Sequence, residues 1–203
     1  MNGEDAPELK RAAVAAAPSS PIPNHRLGMM IFLVAEAMLF TGLLGAALVL
    51  GAGAPMWPPP GQPVLPIWAG AVNLLLLSGG SFGMIRAMRG VRLASHRRLV
   101  SGIGLTLACG AGFLVVMGVE WARMIREGLR TTTTGSYGPL FYTLTGCHAL
   151  HVLAVMIWVG VLLALALQDR FSPAHHEPVE MAGMFWHFVA VAWVFLFVVL
   201  YLI

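Results

Sequence analysis

The sequence predicts an all-α integral membrane protein, a bundle of five transmembrane helices with its N-terminus in the cytoplasm and its C-terminus outside. Three observations carry that prediction. The chain of 203 residues is 58% hydrophobic and only 10% charged, and its mean hydropathy of +0.80 lies above that of a soluble domain of this size. Five stretches reach the roughly 20 apolar residues needed to cross about 30 Å of hydrocarbon. None of them alternates polar and apolar residues as a barrel strand would. Helices satisfy their own backbone hydrogen bonds within lipid, so spans joined by short loops make one compact bundle.

The chain opens with Glu4, Asp5, Glu8, Lys10 and Arg11, followed by an Ala/Pro/Ser stretch. Residues 1–26 lack the apolar core of a signal peptide and read as a disordered cytoplasmic tail ahead of a membrane domain over residues 27–203. The first span, Leu27 to Leu50, carries Glu36 in FLVAEAMLF. The proline-rich run Met56 to Pro66 cannot be helical, because its prolines lack N–H donors and restrict the residues before them. It reads as a stiff external loop. Span two, Pro66 to Ala87, contains Asn73, Ser78 and the glycines Gly79, Gly80 and Gly83, which let helices approach closely. Span three, Leu99 to Met124, has Gly102, Gly104, Gly110 and Gly112 and the carboxyl of Glu120. Span four, Leu140 to Leu167, carries His148 and His151, and span five, Val179 to Ile203, carries Glu180, Trp186, His187, Trp193 and Tyr201.

Orientation follows from the basic residues. Lys10, Arg11, Arg26, Arg86, Arg89, Arg92, Arg97, Arg98 and Arg170 flank one side of the five spans, against Arg123, Arg126 and Arg130 on the other. The richer side is cytoplasmic by the positive-inside rule. A sequence pI near 9.3 is thereby explained by topology, and nucleic-acid binding is a poor account of it. Cys109 and Cys147 both fall inside apolar spans, as small packing residues rather than a disulfide or metal pair.

An ionisable group at membrane depth costs several kcal/mol, so each one is a functional candidate. Glu36 and Glu120 invite a proton-relay reading, although a carboxyl in apolar surroundings can also stay neutral and simply hydrogen-bond. His148 and His151, three apart, share one helix face; the spacing suits a metal if further ligands converge, or a hydrogen bond to a carboxylate or lipid phosphate. Glu180 and His187 lie two turns apart, facing the bundle interior or a cleft. A haem cytochrome would need two histidines on facing helices. The run Gly79 to Gly83 matches G-x-S-x-G, but inside an apolar helix Ser81 lacks the strand-to-helix turn and neighbouring base that a nucleophile requires.

Taken together, LGMMIFLVAEAMLFTGL, the proline-rich loop, PIWAGAVNLLLLSGGS, VEWARM, GSYGPLFYTLTGCHALHV and HHEPVEMAGMFWHFVAVAWVFLFVVLYL resemble subunit III of the haem-copper oxidases, from about Leu27 to the C-terminus. The Y-x-x-T-G-x-H-x-L-H-V and W-H-F-V-x-x-x-W-x-F-L-F signatures are the specific part, since they fix uncommon membrane histidines and tryptophans at set spacings.

The resemblance implies a five-span form of a family whose longer members have seven. It implies a non-catalytic subunit that binds no haem, copper or other metal and packs on the catalytic subunit I, with subunit II in the same complex. That complex would reduce oxygen with electrons from cytochrome c or quinol and pump protons across a prokaryotic inner membrane. Glu36 matches the carbodiimide-reactive carboxyl beside a phospholipid-filled cleft, and Glu120 a second acidic position. Asn73 and Ser78 match polar positions flanking a leucine-rich run, while His148, His151, Glu180, Trp186 and His187 match the polar and aromatic residues grouped between the last helices. Trp186, Trp193 and Tyr201 are expected to anchor at helix contacts or membrane interfaces. Ala190 stands where the family usually has aspartate, which interrupts any relay through span five and leaves room for a subunit III relative that accompanies a nitric oxide reductase.

Overall fold

The computed structural model describes residues 23–57, 59–63, 65–129 and 135–202, and the tail expected over residues 1–22 lies outside them. Among the described residues five helices are long and apolar enough to cross a membrane: α1 (Asn24–Ala52), α2 (Ile67–Arg92), α3 (His96–Arg126), α4 (Tyr137–Ala166) and α5 (Glu177–Phe197). A π-helical turn, Val198–Leu202, continues α5. Each helix matches an expected span but extends beyond it, so that residues 24–26, assigned to the tail from sequence, form the first turn of α1.

The extensions have a simple cause. At 26 to 31 residues per span the helices are about 39–46 Å long, more than the hydrocarbon core alone requires. The last turns of two of them are cationic, with Arg89 and Arg92 ending α2 and Arg123 and Arg126 ending α3, as suits a headgroup layer. Cations there also suit the negative end of the helix dipole. Between α1 and α2 the described part of the proline-rich run is turn and bend without helix. Pro178, in the first turn of α5, is placed where its missing N–H costs nothing.

Helices α2 and α3 form the tightest hairpin. A Cβ on Gly83 would stand 2.8 Å from the Gly102 carbonyl oxygen and 3.0 Å from the Thr106 nitrogen. The backbones can meet so closely only because both positions are glycine. The Thr106 hydroxyl lies 2.9 Å from the Gly80 carbonyl across the interface and 3.1 Å from Gly102 in its own helix. The turn behind the hairpin is closed by Ala94 in left-handed backbone, φ 49°.

Helix α5 packs against α2, with α4 on its other flank and α1 added outside. Two tryptophans seven residues apart on α5 stitch it to α2: Trp186 Nε1 donates to the Leu77 carbonyl (3.3 Å) and Trp193 Nε1 to the Gly70 carbonyl (3.1 Å). Both rings are fully buried, together with Phe113 and Phe141. Trp186 reaches its place through Gly80, where a side chain would occupy the space of the indole. Of the 29 residues of α1, by contrast, only Met29, Phe40 and Ala47 are buried, so this helix lies at the margin of the bundle.

Candidate functional site

The position in α1 that sequence reasoning singled out first is also what ties the helix down. Glu36 Oε2 lies 2.8 Å from His151 Nε2 on α4. The other ring nitrogen, Nδ1, sits 2.7 Å from the Cys147 carbonyl oxygen. A carbonyl can only accept, so Nδ1 carries a hydrogen and Nε2 is turned to the carboxyl. One proton is then shared on the Glu36–His151 line, as carboxylic acid donating to imidazole or imidazolium donating to carboxylate. Either arrangement is neutral overall, which is how two ionisable groups are tolerated at mid-membrane depth.

Aromatic rings shield the pair. Phe40, one turn beyond Glu36, meets His151 edge-on at 5.1 Å between centroids and His148 at 5.9 Å. Phe185 of α5 stands 6.3 Å from His151, and Phe32 of α1 packs on Phe185 at 5.5 Å. Side-chain exposures of 18% for Glu36 and 13% for His151 leave the pair largely buried.

His148 has a different setting, although it shares a helix face with His151. It is fully buried against Phe113 (5.4 Å) and Trp193 (5.1 Å), and neither ring nitrogen has a hydrogen-bond partner among the described residues. Asn73, on the buried face of α2 between Gly70 and Leu77, is likewise without one.

Glu120 forms a second polar centre, towards the end of the bundle opposite the N-terminus. It is 3% exposed, and its Oε2 accepts a hydrogen bond from the Tyr201 hydroxyl at 2.8 Å. The π-helical turn places Tyr201 there by shifting the register at the end of α5. Trp121, next to Glu120, donates to Thr145 on α4 at 3.1 Å, and Tyr142 donates to the Leu129 carbonyl at 2.8 Å. Tyr201→Phe is expected to leave the buried carboxyl without its donor and to cost about 1–3 kcal/mol in unfolding free energy. Tyr201→Phe combined with Glu120→Leu should recover part of that loss in detergent titrations of the reconstituted chain.

Glu180 and His187 join neither centre. Glu180 is ion-paired with Arg26 of α1 at 2.6 Å, with His176 4.0 Å away, which clasps the first turns of α1 and α5. His187 lines a separate crevice between α2 and α5. Two partners carry no signal of their pairing in the sequence: there Arg26 counts only towards topology and Tyr201 only as an anchor. Cys109 and Cys147 are free thiols. Among the described residues no three or more His, Cys, Asp or Glu side chains are grouped to hold a metal ion.

The chain matches the family model for cytochrome c oxidase subunit III over residues 22–203. It belongs to the cytochrome c oxidase subunit III family. The cytochrome c oxidase subunit 3 of Synechocystis is 36% identical over 183 residues, covering 89% of this chain and 77% of the relative. That of Thermostichus vulcanus is 31% identical, covering 97% and 96%. The Sus scrofa protein of the same name is 30% identical, covering 87% and 68%. Within the matched residues the histidines of α4 face α1 and the bundle centre, and the tryptophans of α5 face α2.

Proposed function

We propose that this chain is the non-catalytic subunit III of a proton-pumping haem-copper oxidase in the cytoplasmic membrane of a prokaryote. In this reading it packs on subunit I, which carries the haem and copper, beside subunit II, and it supports proton uptake and durability of that centre. The observation that carries the reading is the Glu36–His151 pair, a proton-sharing couple at mid-membrane depth within a chain of the subunit III family. A couple of that kind can hold and re-orient a proton without placing net charge in the lipid.

The N-terminus, with the residues ahead of α1 as its tail, is assigned to the cytoplasm. Arg26, Arg86, Arg89, Arg92, Arg97, Arg98 and Arg170 on that side, against Arg123 and Arg126 opposite, support this side as the inner one. Phospholipid is assigned to the groove of about 500 Å³ between α1 and α5, where Phe40, Leu44, Phe188 and Phe195 offer an apolar wall beside Glu36. His148, Glu120, Glu180, His187, Trp186 and Trp193 have supporting roles in proton contact, clasping and packing.

The test is a mild-detergent pull-down of the tagged chain from its native membrane, with identification of partners, a reduced-minus-oxidised spectrum and oxygen uptake. A co-purifying haem-copper subunit that consumes oxygen is the expected result. A partner that reduces nitric oxide would assign the chain to a reductase instead. A Soret band from the chain alone would make it a cytochrome. Within the purified complex, Glu36→Ala is expected to leave haem content unchanged while shortening the activity lifetime during turnover or lowering the retained lipid; loss of haem would contradict the supporting role.

A further inference from the structure

His187 and the last-turn arginines of α2 have no part in either polar centre, yet they meet around one feature. A crevice of about 280 Å³ runs between α2 and α5, lined by Met84, Ile85, Met88, Gly183, Met184 and His187, with Arg89, Arg92 and Glu180 at its mouth. Its walls are apolar and its mouth opens on the arginine-rich side of the bundle. Both arginines are exposed. Neither they nor His187 have a side-chain hydrogen bond or ion pair among the described residues. The one carboxylate at the mouth, Glu180, is already neutralised by Arg26 at 2.6 Å.

We propose that this crevice binds one anionic phospholipid, with its phosphate on Arg89 and Arg92 and an acyl chain between α2 and α5. Size and charge both select that occupant. A volume of about 280 Å³ is less than one turn of a helix about 10 Å across would fill, and it suits a hydrocarbon chain with methionines that adapt to it. Two guanidiniums beside apolar surface at headgroup level attract anionic lipid. His187 lies seven residues inward from Glu180, about 10 Å along the axis, at a depth where its ring N–H can donate to a glycerol ester oxygen. The site is separate from the α1–α5 groove, and its argument does not depend on the oxidase reading.

The test uses the chain in its native assembly, stripped of lipid in detergent and titrated with phosphatidylglycerol or phosphatidylcholine under native mass spectrometry. Arg89→Gln/Arg92→Gln is expected to weaken one phosphatidylglycerol site about tenfold or more, two cations being removed from the headgroup. Gly183→Leu, which fills the crevice and leaves the arginines in place, should lose the same site. Arg97→Gln/Arg98→Gln removes equal charge from the same side and should leave it intact. Equal losses in that control, equal affinity for phosphatidylcholine, or unchanged binding in both crevice variants would each overturn the proposal. A protein segment cross-linked into the crevice in place of lipid would overturn it as well.

Discussion

Gly80→Leu is expected to prevent the native bundle from closing. The Trp186 indole occupies the space a side chain at position 80 would need. That ring is fully buried and bonded to Leu77, so it has no free direction in which to retreat. Overpacking of rigid cores costs about 1–3 kcal/mol for a few added methylenes, and a leucine against an immobile indole exceeds about 3 kcal/mol. Gly104→Leu is the matched control, because a Cβ there meets nothing within 4 Å. Folded yield after reconstitution should fall sharply for the first and stay near wild type for the second. Trp186→Ala added to Gly80→Leu should restore part of the yield; if it does not, the indole is not the obstacle.

His151→Leu is expected to have the next largest effect, about 3–5 kcal/mol, because it strands the Glu36 carboxyl with no partner in a largely buried site. Interhelical hydrogen bonds between neutral groups in membranes average only about 0.6 kcal/mol. An ionisable carboxyl left alone costs more, since it must also stay protonated or draw water into the bundle. The double variant Glu36→Leu/His151→Leu removes both groups and should regain most of the loss. Detergent unfolding curves of the four proteins give the coupling directly, and a double variant no more stable than His151→Leu would rule the coupling out.

The five spans were legible because each buries a long apolar run, and length and composition carry that signal without knowledge of neighbours. Their ends were less so: α2 continues through Arg86, Arg89 and Arg92, which a hydropathy window reads as its stop. Glu36 and His151 stood out singly as expensive membrane residues, yet 115 positions separate them and no local period says which helices face each other. Glu120 was visible too, but its partner was not. Tyr201 lies near the end of the last span, where an aromatic ring usually marks the interface, and only the π-helical turn aims it inward. A comparison of depths offered the missing signal, because the end of α3 and the end of α5 fall on the same side of the bundle. Arg26 and Glu180 likewise lie at one depth, at the starts of α1 and α5.

The marginal place of α1 governs the order in which the protein can be built. This helix leaves the ribosome ahead of the other four, yet its principal neighbour, α5, is the last of the five to be made. At about 5–20 residues per second, the roughly 125 residues between them take about 6–25 s to synthesise. Within that interval α2 and α3 pair in their own hairpin, and α4 brings His151 as the first partner for Glu36 of α1. Closure then comes as a late, non-local event, when the arrival of α5 supplies Glu180 to Arg26 and Phe185 to the ring stack around His151. A chain arrested before α5 would hold a finished α2–α3 hairpin and a first helix held by the Glu36–His151 pair to α4 but lacking its larger contact face.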